Sequence, residues 1–169
     1  MRWYVSFDPA QFIELVIVPA LTKIGAYSKA AEQLVAGTIA HESDFGTYLK
    51  QVNGPALGLP QMEPATHDDL WESYIIGKPM EIKMLPASRN RLIYDLLYGV
   101  QMCRIKYLSI PTLIPAENDI EAQANYWKRY YNTPQGRGNT IDYLWAFKFH
   151  LGKYYPNARY GNDDPLPND

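Results

Sequence analysis

The sequence predicts a mainly α protein folded as a single domain. Three observations point there. Apolar residues recur at helical spacing through every long segment, Ser, Asp, Asn and Pro stand where helix starts need them, and no alternating run is long enough to compete as a strand. A chain of 169 residues can bury about two-thirds of its extended surface around one core. The domain is expected over residues 1–155, with a flexible tail over 156–169, where Pro, Asn and Asp accumulate.

The elements follow in order. Asp8, Pro9 and Gln11 supply an N-cap, a first-turn proline and a capping-box partner, so a helix is expected from Pro9 to Ile24, kinked at Pro19 and ended by Gly25. Ser28 caps a second helix running to Ser43, with Ala31, Leu34, Val35, Thr38, Ile39 and Glu42 on one face. Asp44 to Pro60 is rich in Gly and Pro and reads as a long loop or a small hairpin around Asn53-Gly54. A third helix starts at Pro64 and stops before Gly77 and Pro79. A long helix is expected over Arg89–Leu108, with Leu92, Ile93, Leu96, Leu97, Val100 and Cys103 inward. Asn118 and Glu121 then open a helix with the stripe Ile120, Ala124, Trp127 and Tyr131, broken by Asn132, Thr133, Pro134 and Gly136. A last helix over Thr140–Lys153 carries Ile141, Leu144, Trp145 and Phe149.

Composition removes several function classes. A formal net charge of −2 gives no general attraction to nucleic acid. No window approaches about 18 consecutive apolar residues, so no membrane insertion is expected. The N-terminal residues lack the apolar run of a signal peptide. The lone Cys103 rules out an intrachain disulfide and reads as a small core residue. His41, His67 and His150 lack ligand spacing, so no metal or other cofactor is expected.

The chemistry concentrates between Gly37 and Trp71. Glu42 lies on an apolar helix face near the helix end, where desolvation and the negative end of the dipole both favour the neutral acid. A neutral carboxylic acid is what proton donation to a leaving oxygen requires. The position also suits a Glu hydrogen-bonded for structure. The loop that follows, Gly58 to Thr66, combines a site of close backbone approach at Gly58 with the polar Gln61 just before a helix start. A polymer groove needs such groups, and an ordinary loop-to-helix junction has them too. Tyr48, Trp71 and Tyr74 lie near the loop and offer faces for sugar stacking.

Taken together the motifs resemble those of soluble lytic transglycosylases and goose-type lysozymes. That family carries a Glu-Ser pair at a helix end followed by an aromatic or aliphatic residue and Gly, matched by Glu42-Ser43, Phe45 and Gly46. It then carries G-L-x-Q and Pro-x-Thr, matched by Gly58-Leu59-Pro60-Gln61 and Pro64-Ala65-Thr66. A third motif, Ala-Tyr-Asn with a nearby Gly, is similar to Tyr130-Tyr131-Asn132 and Gly136, with Tyr130 replacing the alanine and Pro60 departing from the second motif. The wording from Gly54 to Trp71 looks most like small proteins of this kind encoded by tailed bacteriophages.

The resemblance implies a lysozyme-like fold and cleavage of the β-1,4 bond between N-acetylmuramic acid and N-acetylglucosamine in bacterial peptidoglycan. It implies that Glu42 is the catalytic acid and then the base. Ser43, Gln61, Tyr131 and Asn132 would contact the glycan or orient the acid, with Tyr131 hydrogen-bonding near the Glu42 carboxylate. Tyr48 and Glu63, close to the loop in sequence rather than matched to a motif, are further candidates for binding substrate. A water-consuming muramidase needs a second carboxylate about 5 to 9.5 Å away, for which Glu63, Asp44, Asp68 and Asp69 are the neighbours in sequence. A virion structural or glycan-binding protein without turnover is the remaining alternative. The expected partners are glycan strands, with other virion proteins or a holin as further partners. The expected location is the host cytoplasm during synthesis, then the virion or the host periplasm and cell wall.

Overall fold

The structure, a computed structural model, describes residues 6–162. These residues are mainly helical, and the only β pairing among them is a set of isolated bridges, Lys50 with Leu57, Leu57 with Met62 and Asp119 with Arg159. Helix α1, residues 9–23, is capped by the Asp8 carboxylate on Gln11 N–H at 3.0 Å. In place of a simple kink, a π turn over Ile13–Ile17 precedes Pro19. Widening the helix there keeps the proline ring off the carbonyl four residues back.

Helix α2, Lys29–Ser43, begins where Ser28 Oγ accepts from Ala31 N–H at 3.0 Å. The expected inward face is buried except at Glu42, and so is every other residue from Ala31 to Ala40. The helix is therefore central and leaves the interior only at its two ends, at Lys29 and Ala30 and again at His41 and Glu42. The predicted small hairpin appears between α2 and α3, with Gln51 N–H on Ala56 O at 2.9 Å and Gly58 N–H on Leu49 O at 2.8 Å. Helix α3, residues 64–75, consists of Pro64–Leu70 and a π turn, Trp71–Ile75.

The expected helix over Arg89–Leu108 is divided. A short helix not foreseen, α4, covers Met80–Met84; α5 covers Arg91–Tyr94 and α6 covers Leu96–Leu108. The division falls at Asp95, which is extended (φ −105°, ψ 98°) and caps α6 by accepting from Tyr98 N–H at 3.1 Å. An Asp that can cap a new helix competes with continuing the old one.

Helix α7, residues 120–132, is capped by Asp119 rather than Asn118; Asn118 takes a positive φ of 65°. Its stripe Ile120, Ala124, Trp127 and Tyr131 is buried as expected. Helix α8, Thr140–Leu151, turns a different face inward from the one predicted. Tyr143, Leu144, Ala146, Phe147 and Leu151 are buried, whereas Ile141, Trp145 and Phe149 are 54%, 41% and 44% exposed. Gly37 explains the choice. A Cβ there would lie 2.2 Å from the Tyr143 hydroxyl, so the missing side chain admits Tyr143 against α2. Of the expected tail, residues 156–162 return to the body of the protein: Arg159 N–H donates to Asn118 O at 2.7 Å and its carbonyl accepts from Ile120 N–H. Residues 163–169 lie outside the described residues.

Two apolar clusters share α6. Val100, Cys103 and Tyr107 face the larger one, built from α1, α2, α7 and α8, while Tyr98, Met102 and Ile105 face the smaller one beneath α3. Burial pushes the Cys103 thiol up to about 12, which leaves it an inert core group.

Candidate active site

A cleft of about 650 Å³ opens at the C-terminal end of α2. One wall is the hairpin and the start of α3, with Gln51, Gln61, Glu63 and Thr66. The other is the end of α7 and the loop that follows it, with Tyr131, Asn132, Thr133, Gly136, Arg137 and Gly138, and Lys106 of α6 also lines the cleft.

Glu42 faces this space with its side chain 16% exposed, less buried than its helical face predicts. Its Oε1 accepts from the indole Nε1 of Trp127 at 3.0 Å. His41 flanks it with Nδ1 3.7 Å from the same oxygen, and that buried nitrogen has no hydrogen-bond partner. The rings of His41 and Trp127 lie 4.3 Å apart, and Tyr143 packs on Trp127 at 5.3 Å. Gly138 fits against this group because a Cβ would come within 2.7 Å of the indole and 3.2 Å of the imidazole. Among the described residues the acid therefore has one side-chain hydrogen-bond donor, held in place by a fully buried ring.

The residues after Glu42 form the turn rather than the cleft. Ser43 is fully buried, donates to Ile39 O at 3.1 Å and accepts from Gly46 N–H at 3.2 Å. It does not line the cleft, and its hydroxyl bonds within the helix end and the turn rather than to Glu42. Asp44, Phe45 and Gly46 have φ of 49°, 50° and 89°, which reverses the chain immediately after the helix. His150 Nε2 holds Asp44 Oδ1 at 2.8 Å and its ring stacks on the buried Phe45. Together these contacts set the height at which Glu42 leaves the helix.

The second motif is also held internally. The close approach predicted at Gly58 is to the protein's own backbone, since a Cβ would lie 1.8 Å from Leu92 O. Gln61 lines the cleft as expected; its backbone has φ 44° and its amide donates to Gly58 O at 2.9 Å. Tyr131 reaches the cleft too, but its hydroxyl donates to Pro60 O at 2.7 Å rather than to Glu42. Burial, together with Cys103 and Glu42, holds that phenol well above its ordinary range, so it stays a neutral donor tying the two walls together. Asn132 lines the cleft and accepts from Lys128 Nζ at 2.7 Å; the same ammonium donates to Gly136 O at 2.8 Å.

Of the acidic neighbours, Glu63 lines the cleft with Glu42. Asp44 is held by His150, and Asp68 by Arg89 and His67, away from it. Tyr48, Trp71 and Tyr74 do not line it. Tyr48 is 41% exposed elsewhere, and Trp71 is buried with its indole on the Tyr98 hydroxyl at 2.8 Å. Residue-by-residue reading missed Trp127 as the partner of Glu42 and missed Lys106 and Arg137 as the cations of the cleft. Trp127 was visible as part of a stripe, but nothing local signals a hydrogen bond to a residue on another helix. Among the described residues no cluster of three or more His, Cys, Asp or Glu could hold a metal ion. No described helix is long and apolar enough to cross a membrane.

Comparison of the chain with protein-family models, with curated proteins and with solved structures finds no match to any of them.

Proposed function

We propose that the protein cleaves the β-1,4 bond between N-acetylmuramic acid and N-acetylglucosamine in peptidoglycan as a lytic transglycosylase, with Glu42 as the one general acid and base. The observation that carries the reading is Glu42 itself, near the end of a buried helix, anchored by Trp127 and facing a polar cleft of about 650 Å³. Its proton goes to the glycosidic oxygen, the bond from that oxygen to the muramic C1 breaks, and positive charge develops at C1. The resulting carboxylate then takes the proton of the muramic 6-hydroxyl while O6 bonds to C1. The products are a 1,6-anhydro muramic end and a free 4-hydroxyl on the next sugar, with no water consumed and Glu42 reprotonated.

Glu63 in the same cleft favours a second reading, a hydrolase in which that carboxylate activates water. In the leading reading the protein is a phage product that opens the wall at entry or at lysis. Mass spectrometry of fragments released from purified cell walls tests both. Anhydro ends from wild type and no fragments from Glu42→Gln are expected. Reducing ends that disappear in Glu63→Gln would favour hydrolysis. Walls bound but never cut would mean a glycan-binding virion component, and undiminished release by a folded Glu42→Gln protein would overturn the assignment of the acid.

A further inference from the structure

The cleft holds two cations that this reaction does not use. Lys106 comes from α6, and its Nζ donates to Tyr131 O at 2.9 Å and sits 3.8 Å from the centre of the Tyr131 ring. An ammonium has three N–H donors, and the carbonyl takes one of them. Lys106 forms no ion pair among the described residues. Burial lowers its proton affinity, while Glu42, Cys103 and Glu63 work the other way. A half-buried charge with donors to spare is costly unless something completes its shell.

Arg137 lines the same cleft from the loop over residues 133–138 and likewise has no ion-pair partner among the described residues. That loop is fixed by a third cation, Lys128, through Asn132 Oδ1 and Gly136 O. Arg137 is thus presented by a turn that another residue already holds.

We propose that Lys106 and Arg137 form a subsite for a carboxylate of the bound strand, so that the substrate class is a glycan bearing acidic substituents rather than a neutral one. The inference rests on the glycan-cleaving reading above. An ammonium fixed against a ring supplies a point charge and a guanidinium a planar fork, and both are carboxylate donors that line the same cleft. The cleft is not a uniformly cationic surface of the kind that draws a polyanion, because Glu42 and Glu63 line it with the two cations. On a peptidoglycan strand the carboxylate has two sources: the lactyl group of a muramic residue without its peptide, or the acidic residues of an attached stem peptide.

The test compares kcat and KM on peptide-free and on peptide-bearing strands, each with its carboxylates free and with them converted to carboxamides. For wild type, amidation of the strand type that supplies the group should lower kcat/KM about ten- to a hundredfold, mainly through KM. Whichever strand type shows the loss identifies the source. Lys106→Met, which keeps the stem over Tyr131, and the exposed Arg137→Ala should each blunt the effect of amidation, and Lys106→Arg should restore part of it. If amidation changes nothing in wild type, or if both variants lose equal rate on free and amidated strands, the subsite is refuted while the glycan reading stands. Absence of turnover on every strand would overturn the glycan reading and the subsite with it.

Discussion

Replacing Trp127 by phenylalanine separates the packing of the site from its chemistry. The indole does two things: it fills space beside His41 and Tyr143, and it donates to Glu42 Oε1 at 3.0 Å. Phenylalanine keeps most of the first and none of the second. A hydrogen bond to a charged acceptor contributes about 1.5–3 kcal/mol, and each 1.4 kcal/mol is about tenfold in rate. If the bond positions the acid in the transition state, kcat should fall about ten- to a hundredfold. The volume lost is smaller than in a Trp→Ala change, which costs about 3–5 kcal/mol, so the fold should lose about 1–2 kcal/mol. For a chain of this size that lowers Tm by about 2–8 °C. Wall-solubilisation rates taken well below both melting temperatures, beside thermal melts of the two proteins, make the comparison. In a Glu42→Gln background the same change should cost stability but no further activity. An unaltered kcat in the folded variant would refute the role of the indole as anchor of the acid.

Two further predictions concern the frame. Gly58→Ala places a Cβ 1.8 Å from Leu92 O at φ +73°, and should destabilise by about 3 kcal/mol or more by denaturant midpoint. Gly77→Ala is the control, at φ +80° with nothing within 4 Å, and should cost only the backbone penalty of about 1–2 kcal/mol; equal losses would mean that the contact with Leu92 is not what requires the glycine. Hydrogen bonds from Arg89 and then His67 hold the Asp68 carboxyl well below its ordinary value of 3.8. The ionised form is therefore favoured by folding above about pH 4, and that contribution is lost as pH falls further. Asp68→Asn should flatten the decline of stability below about pH 4 in acid titrations followed by circular dichroism; identical acid limbs would show that the ion pair is screened away by solvent.

Local signals carried much of the fold. Asp8, Ser28 and Pro64 start the helices assigned to them, Gly25 ends the first, and the stripe from Ile120 to Tyr131 is buried throughout. Three expectations failed for distinct reasons. Asp95 competes with helix continuation by capping, which splits the long helix. Asp119 outcompetes Asn118 as a cap because Asn118 instead takes a left-handed backbone conformation, with its N–H donated to Gln33. On α8 the apolar residues occupy more than one face, and packing against Gly37 selects the one with Tyr143 and Phe147. In the candidate site, Glu42, Gln61, Glu63, Tyr131 and Asn132 were named from sequence and do line one cleft. Ser43 and Tyr48 were named for a position in a motif or near a loop, and neither says which way a side chain points.

Lys106 escaped sequence reading for a structural reason. Periodicity identifies a functional residue when it breaks an otherwise clean apolar face. Helices α2 and α6 have no such face, because each runs through the interior with core on all sides over most of its length. Each leaves the interior near its C-terminal end and there puts one ionisable group into the cleft, Glu42 from α2 and Lys106 from α6. The pairing arises from two buried helices ending at the junction of two apolar clusters, and neither helix encodes it alone. An acid and a cation carried on such helices cannot shift without disturbing the core, so under the proposed function a substrate would meet charges already held in position, the condition under which electrostatic stabilisation contributes most to rate. The two walls of the cleft end in the hairpin and in the loop over residues 133–138; Tyr131 ties one wall to the other at Pro60, and Lys128 holds the loop through Gly136. Changes in those loops should therefore alter which strand is accepted, while changes along α2 and α6 should alter whether the chain folds.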